Sequence, residues 1–263
     1  MAEDRGLILV TNYKGTPYTL NGCENDGFDG VDFFSSVLPL ALSFPQGALR
    51  VLMGRNMSAA NMRKYLDWVT DPVSYSPGDK RLIWYSGHGT QTEQFAQDEA
   101  DGKSEVLCPN DFSFESNSLF ITDNQMHAWM KRVSGVAVFD CCHSGGNTRG
   151  VLPATQPKFI PKPYDIGFNF NQAVEKAPNP ELNWAILTGC KENQTSLDVS
   201  FGGRPNGALT AITLKEVWPK NLDASFAEIA LRVGARCHQY GFDQDPQAEG
   251  LLRNKSLAQI WAR

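Results

Sequence analysis

The stretch Val136–Gly146, VAVFDCCHSGG, decides how this chain is read. A short apolar run, Val136 to Phe139, ends in Asp140, Cys141, Cys142, His143 and Ser144, with Gly145 and Gly146 behind them. An apolar run closed by polar residues and glycine is how a buried parallel strand meets the edge of a sheet. In open α/β sheets, ligand sites lie outside the carboxyl ends of the strands. The same grammar recurs upstream in Arg81–Gln91, RLIWYSGHGTQ, where the run ends in Ser86, Gly87, His88 and Gly89. Two strands thus carry a thiol and an imidazole to one edge, the minimum for a Cys–His nucleophilic centre.

Outward from these strands, Leu7–Val10 reads as a first central strand. It runs into a loop marked by Gly15, Pro17, Gly22 and Gly27, which carries Cys23, Glu24, Asn25 and Asp26. Asp29 to about Leu38 reads as a helix and Leu49–Met53 as a second strand. Ser58 caps a helix through Val69, with Met62, Tyr65, Leu66 and Val69 on one face. The polar stretch from Gln91 to Phe112 reads as an excursion from the core. Thr122 or Asp123 caps a helix over Asn124–Met130. Trp184–Leu187 is a further strand, and the polar, Gly-rich residues after it read as loop. Gly207–Val217 and Ser225–Tyr240 read as helices, and Leu257–Trp261 closes the chain. Between Thr148 and Asn183 stand Pro153, Pro157, Pro161, Pro163, Pro178 and Pro180 without a helical period, so this segment reads as an exposed, poorly ordered linker. The alternation of strands and helices predicts an α/β fold, a mostly parallel sheet of about six strands with helices on both faces.

Composition bounds the function. A length of 263 residues fits a single domain over 1–263, and 41% hydrophobic residues is ordinary for a globular chain. A net charge of −5 without a long basic run argues against nucleic acid. No apolar run approaches a membrane span, and MAEDRGLILV lacks the apolar region of a signal peptide. Six cysteines are too few for a disulfide scaffold. The expectation is a cytoplasmic or nuclear protein with reduced thiols.

Five motifs in order then resemble the metacaspases, the caspase-like cysteine peptidases of clan CD. They are LNGCEND (Leu20–Asp26), SGHG (Ser86–Gly89), DEADG (Asp98–Gly102) followed by PNDF (Pro109–Phe112), DCCHSG (Asp140–Gly145) and QDPQAEG (Gln244–Gly250). His88 lies roughly 50 residues upstream of Cys142, the caspase-class spacing. The resemblance implies a caspase-like three-layer sandwich. It divides the chain into a large-subunit-like part (1–147), the linker (148–183) and a small-subunit-like part (184–263), a type I-like core without a prodomain.

By the same resemblance Cys142 is the nucleophile and His88 its base. The backbone N–H groups of Gly89 and Cys142 form the oxyanion hole. Asp26 and Asp140, with Ser86 and Cys23, line the S1 pocket, where two carboxylates select Arg or Lys as the residue before the cut bond (P1). The implied function is a monomeric cysteine endopeptidase acting on protein or peptide substrates with P1 Arg or Lys. It would form an acyl-enzyme and self-process in the linker, where Arg149, Lys158, Lys162 and Lys176 are candidates accessible to a protease. Cys141 stands where the family has serine and is expected to pack, though it could also act as a resolving thiol. A zinc site from Cys141, Cys142 and His143 lacks the usual ligand spacing.

Many metacaspases need calcium. Here Ser104, Asp123, Asn124 and Arg149 occupy the family's ligand positions, and most carboxylates are lost, so no cofactor and weak or absent calcium activation are expected. A solvated loop is the expectation for Asp98, Glu99 and Asp101. Two rivals stand beside the peptidase: a catalytically silent caspase-like binding scaffold, and a thiol redox or metal protein using Cys141 and Cys142.

Overall fold

The structure, a computed structural model, describes residues 3–93, 103–142, 155–161, 182–191 and 193–261. In chain order the elements begin with β1 (Arg5–Val10), α1 (Cys23–Asp32), β2 (Leu49–Met53), α2 (Ala59–Val69), β3 (Arg81–Ser86), β4 (Gly89–Glu93) and β5 (Lys103–Leu107). Then come β6 (Ile121–Thr122), α3 (Asp123–Met130), β7 (Gly135–Asp140), β8 (Gln156–Pro157), β9 (Trp184–Thr188), β10 (Leu197–Phe201) and β11 (Arg204–Gly207). The chain ends with α4 (Ala208–Ile212), α5 (Phe226–Gln239), β12 (Gln247–Glu249) and α6 (Leu257–Ile260).

Six strands form one sheet in the order β12-β9-β7-β3-β1-β2. All its pairs are parallel except β12 with β9. Residues alternate between faces along each strand. Leu7, Leu9, Ile83, Tyr85 and Ala137 therefore pack with Met62 and Leu66 of α2 and Met126 and Trp129 of α3. Ile8, Val10, Trp84 and Val138 pack on the other face with Trp218, Phe226, Ile229 and Trp261. The expected three-layer α/β architecture is the one observed. Helix starts follow the sequence signals. Ser58 accepts from the Asn61 N–H, while Thr122 and Ser225 each form a reciprocal capping box, with Gln125 and Glu228. Among the described residues, no helix is long and apolar enough to cross a membrane.

Three expectations are corrected. The segment around Cys23 and Asp26 is helix, not loop: α1 starts at Cys23, with Glu24 and Asp26 in its first turn, where the helix dipole favours carboxylates. The polar residues after His88 include strands, because β4 and β5 pair antiparallel in a small sheet completed by β6. The supposed loop after Trp184–Leu187 also holds a hairpin, β10–β11, turned at Gly202 (φ 58°) and Gly203 (φ 85°). Two adjacent positive φ values are what a tight hairpin turn demands, and glycine meets them without strain.

Candidate active site

Register brings the two sequence signals together. Ser86, the last residue of β3, lies beside Asp140, the last residue of β7, so His88 and Cys142 leave the same edge of the sheet. α1 brings Asp26 to this edge. Asp26 and Asp140 are both fully buried, and each is held by a set of donors. Asp26 accepts from the Ser86 hydroxyl (2.6 Å), the Asn206 amide (2.8 Å) and the Gly207 N–H (2.9 Å). Asp140 accepts from the Ser196 hydroxyl (2.7 Å) and from the N–H (3.0 Å) and hydroxyl (2.8 Å) of Thr210. Cys23 is buried beside them, within hydrogen-bonding reach of Ser86. Burial pushes the Asp26 carboxyl up to about 6, with Lys158 opposing the rise and Asp140 adding to it.

The cation between these carboxylates comes from the chain itself. The Lys158 ammonium stands 3.1 Å from Asp140, 3.4 Å from Asp26 and 2.8 Å from the Ser86 hydroxyl. Lys158 is completely buried, so its expected accessibility is corrected. β8 pairs antiparallel with β10, and this pairing lays the segment Thr155–Pro161 across the strand ends. Burial opposes a charged amine there, but Asp140, Asp26 and Asp198 outweigh it and hold the Lys158 ammonium well above its usual range. Asp198 is a third buried carboxylate near this cation, tied to the N–H groups of Asn21 (2.6 Å) and Gly22 (3.2 Å). Arg149, Lys162, Lys176, His143 and the acidic residues Asp98, Glu99 and Asp101 lie outside the described residues.

The Lys158 main chain is equally well held. Its carbonyl accepts from the N–H groups of Gly89 (3.1 Å) and Cys142 (3.3 Å), and its own N–H donates to the Ser196 carbonyl (2.9 Å). His88 Nε2 is 2.7 Å from the Tyr18 carbonyl, which can only accept. The proton is therefore assigned to Nε2. Nδ1 keeps its lone pair, is buried, and has no partner among the described residues. Two tyrosines fix the His88 backbone: its N–H donates to the Tyr13 hydroxyl (2.9 Å), and its carbonyl accepts from the Tyr85 hydroxyl (2.6 Å). Tyr13 adopts φ 51°, costly for a bulky residue, and its ring lies 4.7 Å from the imidazole. Burial holds the His88 imidazole down to about 4 and pushes the Cys142 thiol up to about 12. Both groups are neutral while the segment is seated. Cys141 points instead into the layer of Tyr85 and Ile186.

The polar partners Ser196, Asp198, Asn206, Gly207 and Thr210 escaped the sequence reading, as did Tyr13 and Tyr85. They fall within segments whose polar character is that of any loop. The double glycine Gly202-Gly203 between short runs was the one signal that could have exposed the hairpin carrying the first of them.

The sequence pattern of the caspase domain matches residues 5–257. The chain belongs to the caspase-domain family. Its relatives are metacaspases: Metacaspase-1 of Schizosaccharomyces pombe is 28% identical, over 86% of this chain and 62% of that protein. Metacaspase-1 of Kluyveromyces lactis is 32% identical, over 78% of this chain and 57% of that protein. This caspase-domain chain thus spans about six-tenths of the length of such relatives. The crystal structure of protein GSU0716 from Geobacter sulfurreducens superposes with a TM-score of 0.66 at 24% identity, over 97% of both chains, and shares the fold.

The family's calcium positions fit a cation poorly here. Ser104 is a neutral hydroxyl buried on β5, and Asn124, beside Asp123 in the first turn of α3, is an amide. Hard cations take several carboxylate oxygens. Among the described residues, the one cluster of metal-ligand type is His238, Asp243 and Asp245. Lys191 (3.1 Å) and Gln194 (2.9 Å) already bond Asp245 there.

Proposed function

We propose that this chain is a cysteine endopeptidase that cleaves after Lys or Arg and is held as a precursor by its own Lys158. The observation that carries the reading is the seating of the Lys158–Phe159 peptide. The ammonium meets Asp140, Asp26 and Ser86 while the carbonyl meets the N–H groups of Gly89 and Cys142. Two N–H donors converging on one carbonyl oxygen, beside a thiol, form the arrangement that stabilises a tetrahedral oxyanion.

Each step then has a residue. Cys142 Sγ adds to the Lys158 carbonyl carbon as His88 Nδ1 takes the thiol proton. The oxygen gathers charge against Gly89 and Cys142. The imidazole passes its proton to the Phe159 nitrogen as the C–N bond breaks, and water hydrolyses the thioester. Burial favours the neutral thiol and imidazole, so the proposed proton transfer is placed alongside attack. An Arg side chain answers the same two carboxylates with a guanidinium. On the family resemblance, the enzyme is proposed to act as a monomer.

The test is intact-mass analysis of the purified full chain beside Cys142→Ala. The expected result is a pair of fragments, one ending at Lys158 and one beginning at Phe159, absent from the variant. Fluorogenic peptides with P1 Lys or Arg are hydrolysed and P1 Asp is not. An uncut chain that hydrolyses none of these peptides and resists a thiol-directed inhibitor with P1 Lys is a binding scaffold, and the reading falls.

A further inference from the structure

The segment that carries Lys158 buries a second side chain. Lys158 and Ile160 are both inaccessible, whereas Pro157 and Phe159 are half-buried and Gln156 is exposed. A two-residue alternation marks an extended chain with one face against a surface. Ile160 therefore stands as the second residue after the bond that the proposed reaction cuts, on the leaving-group side.

Its main chain is held as firmly as that of Lys158. The Ile160 N–H donates to the Gly89 carbonyl (3.1 Å), and the Ile160 carbonyl accepts from the Thr90 hydroxyl. Gly89 and Phe159 form a parallel bridge. Gly89 thus meets the segment twice, with its N–H before the cut bond and its carbonyl after it. The Ile160 side chain belongs to a small apolar cluster with Tyr13, Leu20 and Cys108, flanked by Phe112 and Phe114. This cluster is separate from the two main layers of the core. It adjoins the catalytic edge through Tyr13, whose hydroxyl and ring hold His88.

We infer that the enzyme reads its substrates at a second, apolar pocket, S2′, and prefers an aliphatic residue two positions after the cut bond, beside Lys or Arg before it. The inference rests on the proposed peptidase reading, because it takes Thr155–Pro161 to bind as a substrate does. Surface lysines and arginines are common, so a cation pocket alone discriminates little between proteins. A buried aliphatic side chain adds a preference that few exposed segments satisfy. Its thermodynamic reach is limited in a recognisable way: residues after the bond depart with the amine, so the pocket acts on formation of the thioester and not on its hydrolysis. Peptides differing only at that position share one acyl-enzyme.

The experiment uses the wild-type full chain and internally quenched peptides of sequence 155–161 carrying Ile160, Ile160→Val, Ile160→Ala or Ile160→Asp. A Phe159→Ala peptide and a fluorogenic peptide ending at Lys158, with no residue of the chain after it, complete the set. The expected kcat/KM falls roughly ten- to a hundredfold for Ile160→Ala and further for Ile160→Asp. It changes by only about a few-fold for Ile160→Val and Phe159→Ala. Equal kcat/KM across the Ile160 series, with the peptide ending at Lys158 still cleaved, overturns the pocket and leaves the peptidase standing. Failure to cleave any peptide, including that one, takes the peptidase reading and the pocket together.

Discussion

At the amino ends of the strands, Lys80 and Arg81 are buried; at the carboxyl ends, Asp26 and Asp140 are. The two ends satisfy their charges differently. Lys80 donates to the Ser43 carbonyl (2.6 Å) and lies 3.9 Å from Asp4, and Arg81 bonds the carbonyls of Ser74 (3.1 Å), Lys80 and Glu3. These acceptors are fixed main chain and neighbouring side chain, so the cations are part of the fold. At the other end the carboxylates are the fixed partners, oriented by Ser86, Ser196, Asn206, Gly207 and Thr210. Their cation belongs to a short segment laid over the edge. Fixed cations close a fold, whereas fixed carboxylates whose cation sits on a separate segment are what the proposed specificity pocket needs. An open groove of about 520 Å³, lined by Arg5, Arg50, Trp68 and Arg132, also lies at the amino end. The carboxyl end is already filled.

The sharpest way to break this contrast is Gly207→Ala. Gly207 has an ordinary extended φ of −66°, so its requirement is space, not conformation. An added Cβ would stand 2.1 Å from an Asp140 oxygen, 2.2 Å from the Lys158 ammonium and 2.7 Å from an Asp26 oxygen. The cation's place is lost while the fixed donors remain. The expected outcome is a drop of roughly a hundredfold or more in kcat/KM for P1 Lys peptides, the scale of truncating a buried charged pair. A protein with wild-type kinetics would show that the carboxylates do not hold the incoming cation.

Lys158→Met sharpens the contrast through pH. An acid whose folded pKa is raised contributes its full stabilisation below its unfolded pKa, and loses that contribution as pH rises through the folded value. Asp26, at about 6 with Lys158 in place, is such a group. Removing the cation that opposes this rise pushes Asp26 higher still. The variant is therefore expected to lose about 1–3 kcal/mol at pH 8 and clearly less at pH 5, where Asp26 takes a proton. Urea midpoints at the two pH values measure the difference, and a loss equal at both would contradict the assigned coupling. Self-cleavage at residue 158 disappears in the same protein.

Lys80→Met is the counterpart at the fixed end. It leaves the buried Ser43 carbonyl without its donor and Asp4 without its neighbouring cation. A stability loss of about 1–3 kcal/mol is expected, with kcat/KM unchanged. A substantial change in kcat/KM at equal folding would erase the distinction between the ends.

Much of this arrangement was legible in the residues, and the remainder was hidden for identifiable reasons. The strand carrying His88 and the strand carrying Cys142 announce themselves because a few apolar residues must be buried and the polar turn that follows must not. Ser58, Thr122 and Ser225 announce helix starts because only short polar side chains reach the free N–H groups of the first turn. The order of Thr155–Pro161 is a different kind of fact. It comes from contacts with residues distant in sequence, Asp26, Ser86 and Asp140 above all, and a proline-rich composition reads as linker whether or not a pocket awaits it. The same holds for Asp198, Asn206 and Thr210, polar residues of hairpin and helix start that gain meaning only from where β10 and β11 lie. Tyr13 was invisible because its role depends on a left-handed backbone at one position.

The smallest effect expected is that of calcium, and it follows from the same contrast. A fold that gathers carboxylates needs a cation, and here Lys158 serves Asp26 and Asp140. Of the three described positions where the resemblance places metal ligands, Ser104 and Asn124 are neutral and Asp123 is the one acid. A single carboxylate with a hydroxyl and an amide gives calcium too few charged oxygens to bind in the range of sensor sites. Millimolar calcium is therefore expected to change the rate of P1 Lys hydrolysis by less than about twofold. The measurement is a titration of calcium against chelator-treated enzyme, with magnesium as the control for ionic strength. A steep, saturable rise specific to calcium would mean that acidic residues outside the described segments complete a site. The separable cation at the strand ends would then be regulated by a second, bound one.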